Sequence, residues 1–393
     1  MYVTIKDTCH RGTLVAASTL GLLFITHPPL AAHETEQFTV PPDGQRLADI
    51  SLFIENYFIG RLEFSVAKVN RGIKHALAAE GIVHLPRAQS VQQSRRLRAI
   101  GQQPIPSAIT RLHRPEAIAN AYRYSFFAGP VLIEKTEAKI RKNKSLQTQN
   151  PGMLLLYKPA ASATVTHGTD VRPVSNFARM WQGATVSAYG TEFGLDKIGH
   201  FIHFGYSLYT AYRQNLRFGI SRQDAMRLAV QAKVNGLAGE NGFYGNLMVG
   251  AYSNADLASN YVGCLFFRNL TEPVKLKGQM RPAMLLRNGP FWEVAAHVQD
   301  DPKFFRWFVS DHFNEALNPS LYRKEMRTRL RENVRQRLPD FLTYYCDVGG
   351  RSHTQDYFKA LLTELTHYYG LDYGHRGSYD ELVSISSEWS AFP

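Results

Sequence analysis

Asp196, His200 and His203 stand at i, i+4 and i+7 in the segment DKIGHFIHFGYS, a spacing that brings all three to one face of a single helix. In SNADLASNYVG, Asp256 and Asn260 are again four apart, with Gly263 one turn further on. Between these segments lies GLAGENGFYG, in which Glu240 is flanked by glycines on both sides. Polar groups set among apolar neighbours must be hydrogen-bonded, paired or liganded, because burying them bare costs several kcal/mol.

Three chemistries suit this set. One divalent metal could be held by His200 and His203 with Asp196, Glu240 or Asp256, since imidazole plus carboxylate suits zinc or iron. Alternatively Glu240, raised in pKa by apolar surroundings, could act as general acid or base, with His200 or Asp256 assisting a hydrolysis. The third reading involves no reaction: Asp196 orients His200 across one helical turn, while Asp256 and Asn260 tie neighbouring helices together. The sequence has no G-x-S-x-G elbow, no H-E-x-x-H, no phosphate loop and no C-x-x-C pair, which disfavours serine hydrolases, zincins, nucleotide-dependent enzymes and thioredoxin-like proteins.

The elements that must position these residues read as mainly α, a helical bundle-like core with irregular Gly/Pro-rich connections. Residues 183–263 hold 12 of the 29 glycines, which implies close backbone approach. The stretch 198–212 has no formally charged side chain, so its helix should be wrapped by protein. Ser221 and Ser253 are expected to cap the two helices that follow. Apolar residues at helical spacing over 47–79 predict a helix broken near Gly72, and 86–115 reads as an exposed connector. Near the C-terminus, Tyr322, Met326, Leu330, Val334 and Leu338 recur every fourth residue among seven Arg or Lys side chains, and Pro339 should end that helix.

The 393 residues carry 45 Lys or Arg against 33 Asp or Glu, a net charge of +12, and 44% are hydrophobic, enough for a sizeable core. Lys6 and Arg11 precede an uncharged apolar run, 12–26, followed by Pro28, Pro29 and small residues. Residues 1–32 therefore read as an export signal, leaving a helical N-terminal region at 33–150 and a helical core with the polar site and basic C-terminal helices at 151–393. Removing the signal leaves 12 − 1 = +11 on the exported body. Cys264 and Cys346 could pair in an oxidising compartment or stand as separate buried thiols. Arg327 and Arg331 lie on the basic helix, where 323–337 has seven cations and two anions, net +5. That face could bind an anionic envelope component, lipid or polysaccharide, whereas nucleic acid is not expected.

The pair D-K-x-x-H-F and S-N-A-D-L-x-x-N-x-x-G resembles a group of exported bacterial proteins, and is more remotely similar to VanZ-like and YfiM-like proteins. Asp196, Lys197, His200 and Phe201 match the first motif; Ser253 through Leu257, Asn260 and Gly263 match the second. The resemblance spans about 190–270 and implies a helical unit with a shared polar site, without assigning a reaction. GENGFYG also has a partial likeness to the catalytic Glu segment of lytic transglycosylases, although the Glu-Ser pair and the later Gly-Leu-Met-Gln are missing. The function expected on these grounds is an exported, periplasmic cell-envelope protein, either a hydrolase of an envelope polymer or lipid, or a non-enzymatic factor that binds anionic material through its basic helix.

Overall fold

A computed structural model describes residues 37–42, 44–79, 107–127, 129–168, 183–236, 239, 241, 250–345, 354–368, 373–378 and 380–390. The expected export signal, Glu240 and Cys346 lie outside them. The chain begins with α1 (Ser51–Ala79), α2 (Ser107–Leu112), α3 (Pro115–Arg123), α4 (Gly129–Arg141) and α5 (Lys144–Gln149). Ile54, Phe58, Leu62, Val69, Ile73 and Leu77 form the buried stripe of α1, spaced for one helical face. The break expected at Gly72 does not occur. A Cβ there would come within 3.3 Å of Leu112, so the glycine lets α2 approach closely instead of ending the helix.

Strands β1 (Thr185–Ala188) and β2 (Thr191–Gly194) form an antiparallel hairpin through Tyr189 and Gly190, both at positive φ. The hairpin feeds α6 (Asp196–Gly199), a π-helical segment (His200–Phe204) and α7 (Gly205–Arg217). Helix α8 (Arg222–Asn235) is capped by Ser221, whose hydroxyl accepts from the Asp224 N–H. After β3 (Ala251–Tyr252), α9 (Asn254–Asn269) is capped in the same way, Ser253 Oγ accepting from the Asp256 N–H at 3.1 Å. Two antiparallel hairpins follow, β4 (Val274–Leu276) with β5 (Gln279–Arg281) and β6 (Leu285–Asn288) with β7 (Phe291–Val294), then α10 (Ala296–Gln299). The remainder comprises β8 (Ser320–Tyr322), α11 (Lys324–Thr343), α12 (Gln355–Tyr368), β9 (Leu382–Val383) and α13 (Ile385–Ser390). Strand β8 lies between β3 and β9 in an antiparallel sheet. The fold is mainly α, as the periodicity predicts.

Two apolar cores organise the described residues. The larger joins α1 and α3 to the glycine-rich helices, with Phe58, Phe201, Phe266, Phe305 and Phe308 in mutual ring contact. The smaller unites α11, α12 and β9 with Phe38, Val165, Ala316 and Leu317. A division at 150 does not follow these cores, because Ile54, Phe58 and Tyr122 pack in the same core as Phe201 and Phe266. Helix α11 also runs through Pro339, against expectation. Proline forfeits one backbone bond, but Phe341, Tyr344 and Tyr345 bury beyond it and Phe341 stacks on Tyr345 at 4.2 Å, so packing carries the helix onward. No helix among the described residues is long and apolar enough to cross a membrane.

Candidate functional site

The site forms where α6 crosses the first turn of α9 beside the segment that joins the two cores. At its centre is Lys197, whose side chain is 0% exposed. Its Nζ donates to Asp196 Oδ2 at 2.8 Å, to Asp256 Oδ1 at 2.5 Å and to Glu315 Oε1 at 2.5 Å. Glu315 also accepts from Ser253 Oγ at 3.2 Å, and its own N–H donates to Gln37 Oε1 at 2.8 Å. The N-cap residue of α9 thus ties the cluster to the helix that carries Asp256.

His200 occupies the rim. Its Nε2 lies 3.3 Å from Asp256 Oδ2, and its Nδ1 3.1 Å from Asn260 Oδ1. The imidazole is therefore oriented across the helix interface by α9; the expected intrahelical support from Asp196 is directed to Lys197 instead. The π-helical segment supplies the local reason: it begins at His200, and a π turn re-aims the side chains it carries. Its ring packs on Phe204 at 5.0 Å, and Lys233 covers the Phe204 ring at 3.6 Å. At 16% exposure, His200 is the most accessible side chain among the ion-paired members of the cluster. The Lys197 stem also lines an apolar cleft with Ile54, Phe58, Phe201, Phe308 and Phe313.

Three carboxylates, those of Asp196, Asp256 and Glu315, share the single ammonium of Lys197 in a buried cluster. Burial pushes the His200 imidazole down, against the pull of the Asp256 and Asp196 carboxylates, and so favours the neutral ring. Burial also pushes Asp256 up, but the charges and hydrogen bonds of His200 and Lys197 hold it below its ordinary range. Glu315 is raised by burial and by its two carboxylate neighbours, in spite of Lys197. One ligand atom each from Asp196, His200 and Asp256 lies within 4.8 Å of the other two, a set able to converge on a cation. The Asn260 Nδ2 is buried without a partner at the edge of the same group.

The sequence-predicted residues separate into three groups. Asp196, His200, Asp256 and Asn260 come together as described. His203 does not join that group: it faces Arg123 and the Phe127 backbone, so the expected His200/His203 ligand pair is replaced by His200 with two aspartates. Glu240 lies outside the described residues. Arg327 and Arg331 are spent within the fold: Arg327 Nε donates to Tyr322 O at 2.8 Å, and Arg331 donates to Asp380 O and Leu382 O and pairs with Glu388 at 3.5 Å. Arg335 holds Glu388 at 2.7 Å and Arg337 holds Ala163 O at 2.9 Å, so the basic stripe of α11 clasps 380–388 and the 163–167 loop. Cys264 is a buried thiol pushed up to about 12 by its apolar surroundings, and Cys346 lies outside the described residues. Tyr373 and His375 are buried. The central Lys197 and Glu315 were not among the predicted site residues. Lys197 could have been found as the charged residue of a stretch that otherwise reads as buried; Glu315 had no signal beyond an acid between Phe313 and Ala316.

Two histidines outside the cluster, His203 and His312, set a pH dependence. Burial, with Arg123 nearby, holds His203 down to about 3; burial with Lys277 and His375 does the same to His312. In the unfolded chain both titrate near the ordinary 6.5. Between about pH 6.5 and 3 the unfolded state therefore binds more protons, and stability falls as pH falls, by up to ~1.4 kcal/mol per pH unit per histidine. The urea midpoint should drop from pH 7 to pH 5.5, and the double variant His203→Gln/His312→Asn should lose much of that drop. An equal drop in the variant would exclude these histidines as the cause.

No protein-family model, curated protein or solved structure matches the chain.

Proposed function

We propose that the chain is an exported cell-envelope protein that binds one divalent cation at Asp196, His200 and Asp256 and hydrolyses an envelope polymer or lipid there. The observation that carries the reading is the convergence of three ligand atoms, one each from Asp196, His200 and Asp256, in a buried cluster where three carboxylates share one lysine. Asn260 and Lys197 do what outer partners of a cation site must do: Asn260 accepts from His200 Nδ1, freeing Nε2 as a ligand, and Lys197 fixes the second oxygens of the carboxylates. A bound cation would polarise a carbonyl or phosphoryl oxygen and lower the pKa of a water, which suits hydrolysis. The partial exposure of His200 gives that chemistry an open side. The signal-like 1–32 segment and the paired D-K-x-x-H-F and S-N-A-D-L motifs support the envelope assignment.

A second reading is favoured by one observation: the three ion pairs of Lys197 alone make a clasp between the two cores, without chemistry. Elemental analysis of the protein from His33 onward, after loading with zinc, manganese and iron and gel filtration, separates the two. About one equivalent per chain is expected in the wild type, with affinity at least ~10-fold weaker in His200→Ala and an unchanged circular dichroism spectrum. The absence of metal from both would reject the cation site and leave the clasp.

A further inference from the structure

Four arginines of α11, Arg327, Arg331, Arg335 and Arg337, are tied to other segments of the fold, yet a different face presents cations with no carboxylate partner among the described residues. It is built from the outer stripe of α1, the turn after α3 and the outer face of α4. Tyr57, Arg61, Phe64 and Lys68 follow one another on α1 at spacings of four, three and four. Arg61 donates to Ser125 O at 2.7 Å and Tyr57 packs edge-on to Phe126 at 5.6 Å, which seats the turn against this stripe. From α4, Lys139 lies 4.5 Å from the Tyr57 ring centroid and Lys135 4.8 Å from that of Phe127. Arg123 lies 5.3 Å from the Tyr124 ring.

The apolar members are unusually open. Phe64 is 49% exposed, Tyr124 67%, Phe127 42% and Val131 43%. Arg61, Lys68, Arg123, Lys135 and Lys139 form no ion pair with a carboxylate among the described residues, whereas eight arginines elsewhere pair within 3.3 Å of an acid. Glu63 and Glu134 are the exposed acids on the same two helices, so five cations against two anions leave the face at +3. The cations crowd one another: burial, then Arg61 and Lys135, push Lys139 below its ordinary range. A partner must accept aromatic and aliphatic side chains while supplying negative charge.

We propose that this face docks the protein on an anionic phospholipid bilayer, Phe64, Tyr124, Phe127 and Val131 entering the headgroup region while Arg61, Lys68, Arg123, Lys135 and Lys139 meet phosphates. Apolar side chains ringed by cations on exposed helix edges are the composition of an interfacial lipid contact. A single-stranded nucleic acid fits less well, because stacking needs open ring faces, and cations of the chain itself already lie over the rings of Tyr57, Tyr124 and Phe127. The docking face does not depend on the cation site. Arg123 of this face also acts on the imidazole of His203, three residues from His200.

Flotation of the protein from His33 onward with vesicles tests this. Vesicles of phosphatidylcholine with 30 mol% phosphatidylglycerol, on the order of a bacterial anionic content, should bind it at low salt, and pure phosphatidylcholine vesicles should not. Lys135→Glu/Lys139→Glu should weaken binding at least about 25-fold, from roughly fivefold for each cation removed, and Tyr124→Ser/Phe127→Ser should weaken it without altering the net charge. Both variants replace exposed side chains and should keep the wild-type melting temperature. Lys324→Glu/Arg329→Glu on α11 should bind as wild type. Undiminished binding by the charge-reversed α4 variant, failure of the wild type to float, or retention on oligo-dT in preference to anionic vesicles would each overturn the proposal.

Discussion

Replacing Lys197 by methionine, which keeps the length of the stem and removes the charge, is expected to cost the fold about 3–5 kcal/mol and lower its melting temperature by roughly 10 °C or more at pH 7.5. Asp196, Asp256 and Glu315 would face one another with no ammonium between them, and the buried cluster would lose its shared positive charge. The sign of the pH response follows. Without Lys197 the folded-state carboxylates hold protons more tightly than the unfolded ones, so the variant gains stability relative to wild type as pH falls from 7.5 to 5. A divalent cation should do what protons do. Zinc or manganese at a saturating concentration should restore much of the lost melting temperature, more than it adds to the wild type. Loss of stability with no recovery in any of these metals, and no shift in the wild type, would mean that Lys197 serves only as a clasp between the cores.

Gly263→Ala is expected to destabilise the protein by about 3 kcal/mol or more, although it touches no ligand and adds one methyl group. The new Cβ would sit 2.1 Å from the Phe201 carbonyl oxygen and 2.8 Å from its carbon. Gly205 meets the same crossing from the other side: a Cβ there would lie 2.7 Å from the Gly263 Cα. Both obstacles are backbone, so relief requires the π-helical segment and α9 to move apart. Those are the elements that carry His200 on one side and Asp256 and Asn260 on the other, hence cation affinity should fall together with stability. Gly60→Ala on α1 is the control, because nothing lies within 4 Å of its Cβ and alanine should stabilise the helix by about 0.5–1 kcal/mol. Urea unfolding of the three proteins reads both effects. A Gly263→Ala midpoint equal to wild type would show that the crossing is not as tight as its backbone contacts require.

The helices that bear the polar residues were legible because hydrophobic period, Ser221 and Ser253 caps, and glycine density are local properties of the chain. Local pattern also misled in identifiable places. Gly72 and Pro339 are breakers by intrinsic propensity, but Leu112 packing on one and Phe341 with Tyr345 beyond the other outweigh a cost of a few kcal/mol. The short hairpins were not anticipated, since four-residue strands have too few positions to display an alternation. His203 shares a helix face with His200 on ideal 3.6-residue geometry; the π-helical segment changes that phase, and His203 turns toward Arg123.

What the sequence determined by itself is the mainly α architecture and four of the residues that meet: Asp196, His200, Asp256 and Asn260. Each pair is spaced four apart on one helix, and such spacing is written in a single segment. Tertiary structure alone decided that Lys197 is the hub, that Glu315 completes it, and that Arg327 and Arg331 face inward to 380–388. Those partners lie about 50 to 120 residues apart in the chain, and the sign of a charge carries no information about which distant group will neutralise it. Burial of the two cores excludes water from their junction, and with no solvent to screen them, charges brought together by packing must neutralise one another or take up a cation.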